Sequence, residues 1–136
     1  MLNKKIISLD LGDSWVGIAS TDSSGSFVYP REAIKSFEIK NFLKDFLIKN
    51  EVECVVIGYP ITMQGKESDQ TKKILNLKKE FEEIFKNVKF FLQDERLSSK
   101  FANKILKENK KSKSSEHSIA ACIILENFLL KYKKEE

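Results

Sequence analysis

The sequence predicts an α/β protein whose five-stranded mixed sheet carries helices on both faces. Three short apolar segments separated by turn residues open the chain, a pattern typical of an antiparallel meander. Two later apolar segments each follow an amphipathic helical segment, and strands joined by helical crossovers run parallel in one sheet. The meander and the crossovers together predict the mixed sheet with helices packed against it.

The meander occupies the first thirty residues. Its first strand starts at Ile6 and ends at Asp10, and a tight turn follows at Gly12. The second strand contains Gly17, which would let another segment approach its backbone closely. Residues 26–30 form the predicted third strand.

Helices and parallel strands alternate in the rest of the chain. Ser36 is the predicted N-cap of a first helix, with Phe37 on its apolar side. The nearly continuous apolar run at 52–58 is typical of a strand covered on both faces. The other predicted elements are a helix from 68 to about 87, a strand at 88–92, and helices at 99–108 and 114–133.

Length and composition limit the class of protein. A chain of 136 residues fits one domain, predicted over residues 1–136. The net charge of +4 weakly favours a polyanionic partner. Cys54 and Cys122 lie in apolar segments without metal-type spacing, so we expect buried thiols in a reducing compartment. The sequence predicts neither a signal peptide nor a membrane span, and therefore a cytoplasmic protein.

Acidic residues end two of the predicted parallel strands. Asp10 ends the first, and Glu95, with Asp94 beside it, follows the last. The C-terminal ends of parallel strands share one edge of a sheet, where ligands of α/β proteins bind. Two carboxylates there suit Mg²⁺ or Mn²⁺. Two alternatives stay open: Asp10 caps its turn, and residues 94–96 form a solvated charged turn.

His117 is the third candidate ligand. If Ser114 caps the last helix, His117 lies in its first turn, where the helix dipole favours the neutral imidazole that binds metals. The alternatives are a surface histidine without a ligand role, and Glu116 as the ligand instead.

A stripe of basic residues follows Glu95. At about 100° per residue, its members share an arc of about 80° beside an apolar face of the predicted helix. They are Arg96, Lys100, Lys104, Lys107 and Lys111. The stripe indicates either contact with a phosphate backbone or an ordinary solvated lysine face.

With these residues in place, the chain resembles the bacterial YqgF-type nuclease family of RNase H-like proteins. That family is described both as Holliday junction resolvases and as nucleases that process the 5′ end of precursor 16S rRNA. The resemblance covers nearly the whole chain and rests on four ordered motifs. They are Asp10-Leu11-Gly12 with Val16-Gly17-Ile18-Ala19, Ile57-Gly58-Tyr59-Pro60-Ile61-Thr62-Met63-Gln64-Gly65, Asp94-Glu95-Arg96-Leu97-Ser98-Ser99, and Ser118-Ile119-Ala120-Ala121 leading to Ile124-Leu125.

The resemblance implies an RNase H-like nuclease that cleaves pre-rRNA or branched DNA with Mg²⁺ or Mn²⁺. The family's catalytic, metal-binding acids fall on Asp10 and Glu95, and its third acid falls on His117, which would complete the ligands. Trp15 stands where the family usually has a basic residue. The basic stripe would hold the phosphate backbone, and the protein would act as a monomer or homodimer.

Two other functions stay open at this point. Because His117 replaces an acid, the chain could be a nucleic-acid-binding module that no longer cleaves. An Asp-x-Gly turn before a hairpin strand also opens the two-lobed ATPases of the actin and sugar-kinase kind. The chain is too short to hold their second lobe, which makes a nucleotide-binding lobe the weakest reading.

Overall fold

The computed structural model describes residues 4–60, 68–94 and 113–135. Its strands are β1 (Lys5–Leu11), β2 (Trp15–Thr21), β3 (Val28–Lys35), β4 (Val52–Tyr59) and β5 (Lys89–Asp94). Its helices are a 3-10 turn (Ser36–Glu38), α1 (Ile39–Lys49), α2 (Asp69–Ile84) and α3 (Lys113–Glu135). The predicted helix at 99–108 lies outside the described residues.

The five strands form one mixed sheet in the order β3-β2-β1-β4-β5. The strands β1, β2 and β3 pair antiparallel, whereas β4 pairs parallel with both β1 and β5. This arrangement confirms the predicted meander followed by parallel crossovers. It also places the C-terminal ends of β1, β4 and β5 at one edge of the sheet.

Helices cover both faces of the sheet, as predicted. Ile7 and Leu9 of β1 pack with the apolar residues of α1 and α2. Ile6, the neighbour of Ile7 in β1, points to the other face and packs with Ala121 and Leu125 of α3. Because side chains alternate along a strand, odd-numbered residues of β1 face α1 and α2, and even-numbered residues face α3.

The start of α1 differs from the prediction. A 3-10 turn occupies residues 36–38, and α1 begins at Ile39 without a side-chain cap. The Ser36 hydroxyl instead donates a hydrogen bond to the Gly12 carbonyl at 2.7 Å. Phe37 is 82% exposed and does not join the apolar side. The hydroxyl therefore ties the β1–β2 turn to the end of β3.

The start of α2 at Ser68 follows the prediction, whereas other boundaries shift. The Ser68 hydroxyl accepts from the Thr71 amide, and the Thr71 hydroxyl accepts from the Ser68 amide, which forms a capping box. The strand β3 runs to Lys35, five residues beyond its predicted end at Pro30, because pairing with β2 continues across Pro30. Ser114 lies within α3 and is not its N-cap.

The two cysteines are free and buried, as predicted. Burial raises the pKa of each thiol to about 12, with a smaller contribution from the neighbouring Glu53 or Glu126. Among the helices that the structure describes, none is both long enough and apolar enough to cross a bilayer.

Candidate active site

Asp10 lies at the C-terminal edge of the sheet, one residue before the end of β1, and its side chain is half-buried. The strand register places Leu9 level with Ile57, and Ile57 level with Leu92. Asp94 is therefore within one residue of the height of Asp10 but two strands away, about 10 Å at ordinary strand spacing. Asp10 and Asp94 therefore share one edge of the sheet, as predicted, whereas Glu95 lies outside the described residues.

The side chain of Asp10 leaves the sheet on the face that α3 covers. Ser8, two residues earlier on the same face, donates a hydrogen bond to the Ala121 carbonyl of α3 at 2.7 Å. Across the β1–β2 ladder, Asp10 pairs with Gly17. Residues directly opposite each other in a ladder lie on the same face of the sheet, so Gly17 also faces α3.

Gly17 is the point where α3 comes closest to the sheet. A Cβ atom built on Gly17 would lie 2.0 Å from the His117 carbonyl oxygen and 2.5 Å from its carbon. The next residue, Ser118, accepts from the Ile18 amide at 3.1 Å and donates to the Arg31 carbonyl. The close approach predicted for Gly17 is therefore made by α3. It brings the backbone of His117 against the ladder partner of Asp10.

His117 has an exposed side chain whose ring stacks on Trp15. The ring centroids are 5.8 Å apart and the planes differ by 18°. Lys35, the last residue of β3, holds its Nζ 4.0 Å from the centroid of the Trp15 ring. Lys35 was not among the predicted site residues, because β3 was predicted to end at Pro30, before the residue that pairs with Trp15.

The other predicted site residues lie outside the described residues. They are Glu95, Arg96, Lys100, Lys104, Lys107 and Lys111. Their roles stay predictions, as does ligation by Asp10 and His117. Within the described ranges, no three His, Cys, Asp or Glu side chains converge closely enough to hold a metal ion.

The fold and this edge define the class of the protein. A meander followed by parallel crossovers, with an acid at the end of β1 and a helix laid across β2, is the RNase H-like arrangement. The model of the family RuvX, described as Holliday junction resolvase, matches residues 4–131. The chain belongs to this family of nucleic-acid-cleaving enzymes, as the sequence motifs indicated.

Bacterial relatives match nearly all of the chain. A protein of Fusobacterium nucleatum named as a pre-16S rRNA nuclease is 31% identical, over 93% of this chain and 96% of its own length. One of Rickettsia akari with the same name is 34% identical, over 95% and 88%. The Fowlpox virus resolvase, solved with Holliday junction DNA, is 17% identical with a TM-score of 0.48, over 92% and 99%. That last likeness is remote, and family membership rests on the sequence matches.

Proposed function

We propose that the chain is a metal-dependent nuclease that hydrolyses phosphodiester bonds in structured RNA and processes the 5′ end of pre-16S rRNA. The observation that carries this proposal is the placement of Asp10 beside the His117 segment at the C-terminal edge of the sheet. The names of the curated relatives support the choice of RNA. We further propose that it acts in the cytoplasm.

The donors at this edge fit Mg²⁺ or Mn²⁺. Asp10 offers a half-exposed carboxylate and His117 an exposed imidazole, so an ion from solvent can reach both. With Glu95 they would supply oxygen and nitrogen ligands of the kind that Mn²⁺ accepts and, for the oxygens, that Mg²⁺ prefers. When bound, such ions activate a water molecule and stabilise charge on the departing oxygen.

The chain's own residues would position the substrate. Lys35 holds a positive charge over Trp15, next to His117, where it attracts a phosphate of the strand being cut. Arg96 and the lysines at 100, 104, 107 and 111 would hold the phosphate backbone of the substrate. Asp10, with its carboxylate on the α3 face, would face the phosphate from the sheet side.

Branched DNA is the second candidate substrate, because the matched family model is described as a resolvase. A resolvase cuts a symmetric junction with two sites, which a homodimer supplies. A monomer suits trimming of rRNA. Sedimentation of the purified protein with each substrate would distinguish these two assemblies.

The test is cleavage of two labelled substrates, a precursor rRNA with its 5′ leader and a four-way DNA junction, with Mg²⁺, Mn²⁺ or EDTA. Asp10→Asn removes a charge from the site, and we expect it to lower cleavage about 1000-fold, since metal stabilisation contributes several kcal/mol to the barrier. Asp22→Asn is the matched control, because the hydrogen bonds that Asp22 accepts from described residues all lie within the exposed β2–β3 turn.

Each result decides between the candidates. Metal-dependent cutting of the RNA alone supports the proposal. Metal-dependent cutting of the junction alone would identify branched DNA as the substrate instead. Salt-sensitive binding without cutting would identify a non-cleaving module. Equal cutting by wild type and Asp10→Asn would overturn the mechanism.

A further inference from the structure

Trp15 is the single tryptophan of the chain and joins three elements at the candidate site. It begins β2, pairs with Lys35 at the end of β3, and stacks on His117 of α3. None of these contacts belongs to the apolar cores on the two faces of the sheet. The indole therefore acts on the side chains that it touches and not on either core.

We propose that Trp15 is a positioning residue that fixes the orientation of the His117 imidazole as a metal ligand. The inference rests on the proposed function, because it gives His117 a task there. Trp15 itself touches neither metal nor substrate in this proposal. It acts through the ring stacked on it.

The backbone and the ring of His117 are fixed by separate contacts. Gly17 and Ser118 locate the backbone, through the close approach to β2 and through the two hydrogen bonds of the hydroxyl. Those contacts leave the exposed imidazole free to choose among side-chain rotamers. The offset stack on Trp15, at 5.8 Å and 18°, selects one of them, in a geometry that aromatic pairs favour.

Lys35 restrains the indole in turn. Its ammonium group lies 4.0 Å from the ring centroid, within the range of a cation–π interaction. Trp15 is half-buried, so the sheet and Lys35 together limit the positions that the indole can take. A ligand whose ring is already oriented loses less freedom when an ion binds, which raises the affinity for that ion.

The first test measures Mn²⁺ binding in the absence of nucleic acid, from the electron paramagnetic resonance signal of the free ion. Trp15→Phe keeps an aromatic ring, whereas Trp15→Leu keeps an apolar side chain without one. We expect Trp15→Leu to weaken Mn²⁺ binding at least about tenfold, as the loss of a group that orients a ligand does. Trp15→Phe should stay close to wild type.

A double-mutant cycle shows whether Trp15 acts through His117. In the His117→Ala background, Trp15→Leu should cause no further weakening, because the ring that it positions is gone. A tenfold loss in that background as well would overturn the inference, since Trp15 would then act on the fold as a whole. Equal Mn²⁺ affinities of Trp15→Leu and wild type would also overturn it.

The second measurement uses the unmodified chain. Because Trp15 is the single tryptophan, fluorescence excited at the red edge of the tryptophan absorption, where tyrosine does not absorb, reports on this site alone. Paramagnetic Mn²⁺ held by the stacked imidazole should quench it, diamagnetic Mg²⁺ should not, and His117→Ala should remove the quenching. Mn²⁺ binding without quenching would overturn the inference alone. Absence of any Mn²⁺ binding to wild type would overturn both the inference and the metal dependence of the proposed function.

Discussion

At the scale of single residues, the absence of a side chain at Gly17 allows α3 to lie close against β2. The carbonyl of His117 occupies the space that any side chain at position 17 would need, at 2.0 Å from an ideal Cβ. The clash is with backbone atoms, which cannot rotate away as the end of a flexible side chain can. The whole start of α3 would have to shift.

Gly17→Ala is therefore expected to destabilise the protein by about 2–3 kcal/mol, the upper range for overpacking. Urea unfolding measures the loss. Ser14→Ala, at a nearby exposed position, is the control and should stay within about 0.5 kcal/mol of wild type. A Gly17→Ala protein as stable as the control would contradict the close approach.

Residue patterns predicted Asp10 and the approach at Gly17, because strand alternation and glycine in a strand are local signals. The Trp15–Lys35 contact was not predictable in this way. It depends on β3 continuing past Pro30 and on a register shift in the β2–β3 ladder between Val16 and Ile18. A shift of one residue changes which side chains share a face, and the sequence carries no local sign of it.

At the scale of elements, two serine hydroxyls attach α3 to the sheet. Ser118 accepts from a strand amide and donates to a strand carbonyl, whereas Ser8 donates to the Ala121 carbonyl of α3. Both side chains are fully buried. Among the described residues, no buried side-chain nitrogen or oxygen lacks a hydrogen-bond partner.

Ser118→Ala should lower the free energy of unfolding by about 1–3 kcal/mol, because it leaves the buried Ile18 amide without its acceptor. Ser8→Ala should cost less, since a helix carbonyl such as that of Ala121 can also accept from the backbone four residues on. Thermal or urea unfolding of the two variants checks the order. Equal losses, or a larger loss for Ser8→Ala, would contradict it.

Helix starts show where sequence patterns succeed and fail. The helix α2 starts at Ser68 as predicted, and Thr71 completes a local capping box there. Ser36 looks equivalent in the sequence, but its hydroxyl bonds to Gly12, twenty-four residues earlier. A long-range acceptor overrode the local preference, and Phe37 consequently lies in solvent instead of on the apolar side of α1.

At the scale of the whole molecule, the sheet separates two apolar cores, and both cysteines lie in the core beneath α3. Their pKa of about 12 leaves on the order of one thiolate in ten thousand at pH 8. We expect no reaction with a thiol reagent at pH 8 in the native protein and complete reaction in urea. Labelling at the rate of a free thiol in native buffer would contradict the burial of Cys54 and Cys122.

The labelling rate also reports how often α3 leaves the sheet, since both thiols become accessible when it does.

The fold as a whole was predictable because strand alternation, crossovers and apolar runs all indicate the same mixed sheet. The full ligand set stays a prediction, because ligation depends on the positions of the side chains around Asp10, and a single sequence does not specify that geometry.

The contact between Gly17 and the backbone of His117 makes the side chain at position 117 exchangeable. Every amino acid except proline presents the same main chain there, so the helix docks by atoms that a substitution leaves unchanged. A carboxylate side chain in place of the imidazole would be attached to a Cα atom at the same position. Within this scaffold, selection can alter the chemistry at that point one codon at a time while the architecture persists.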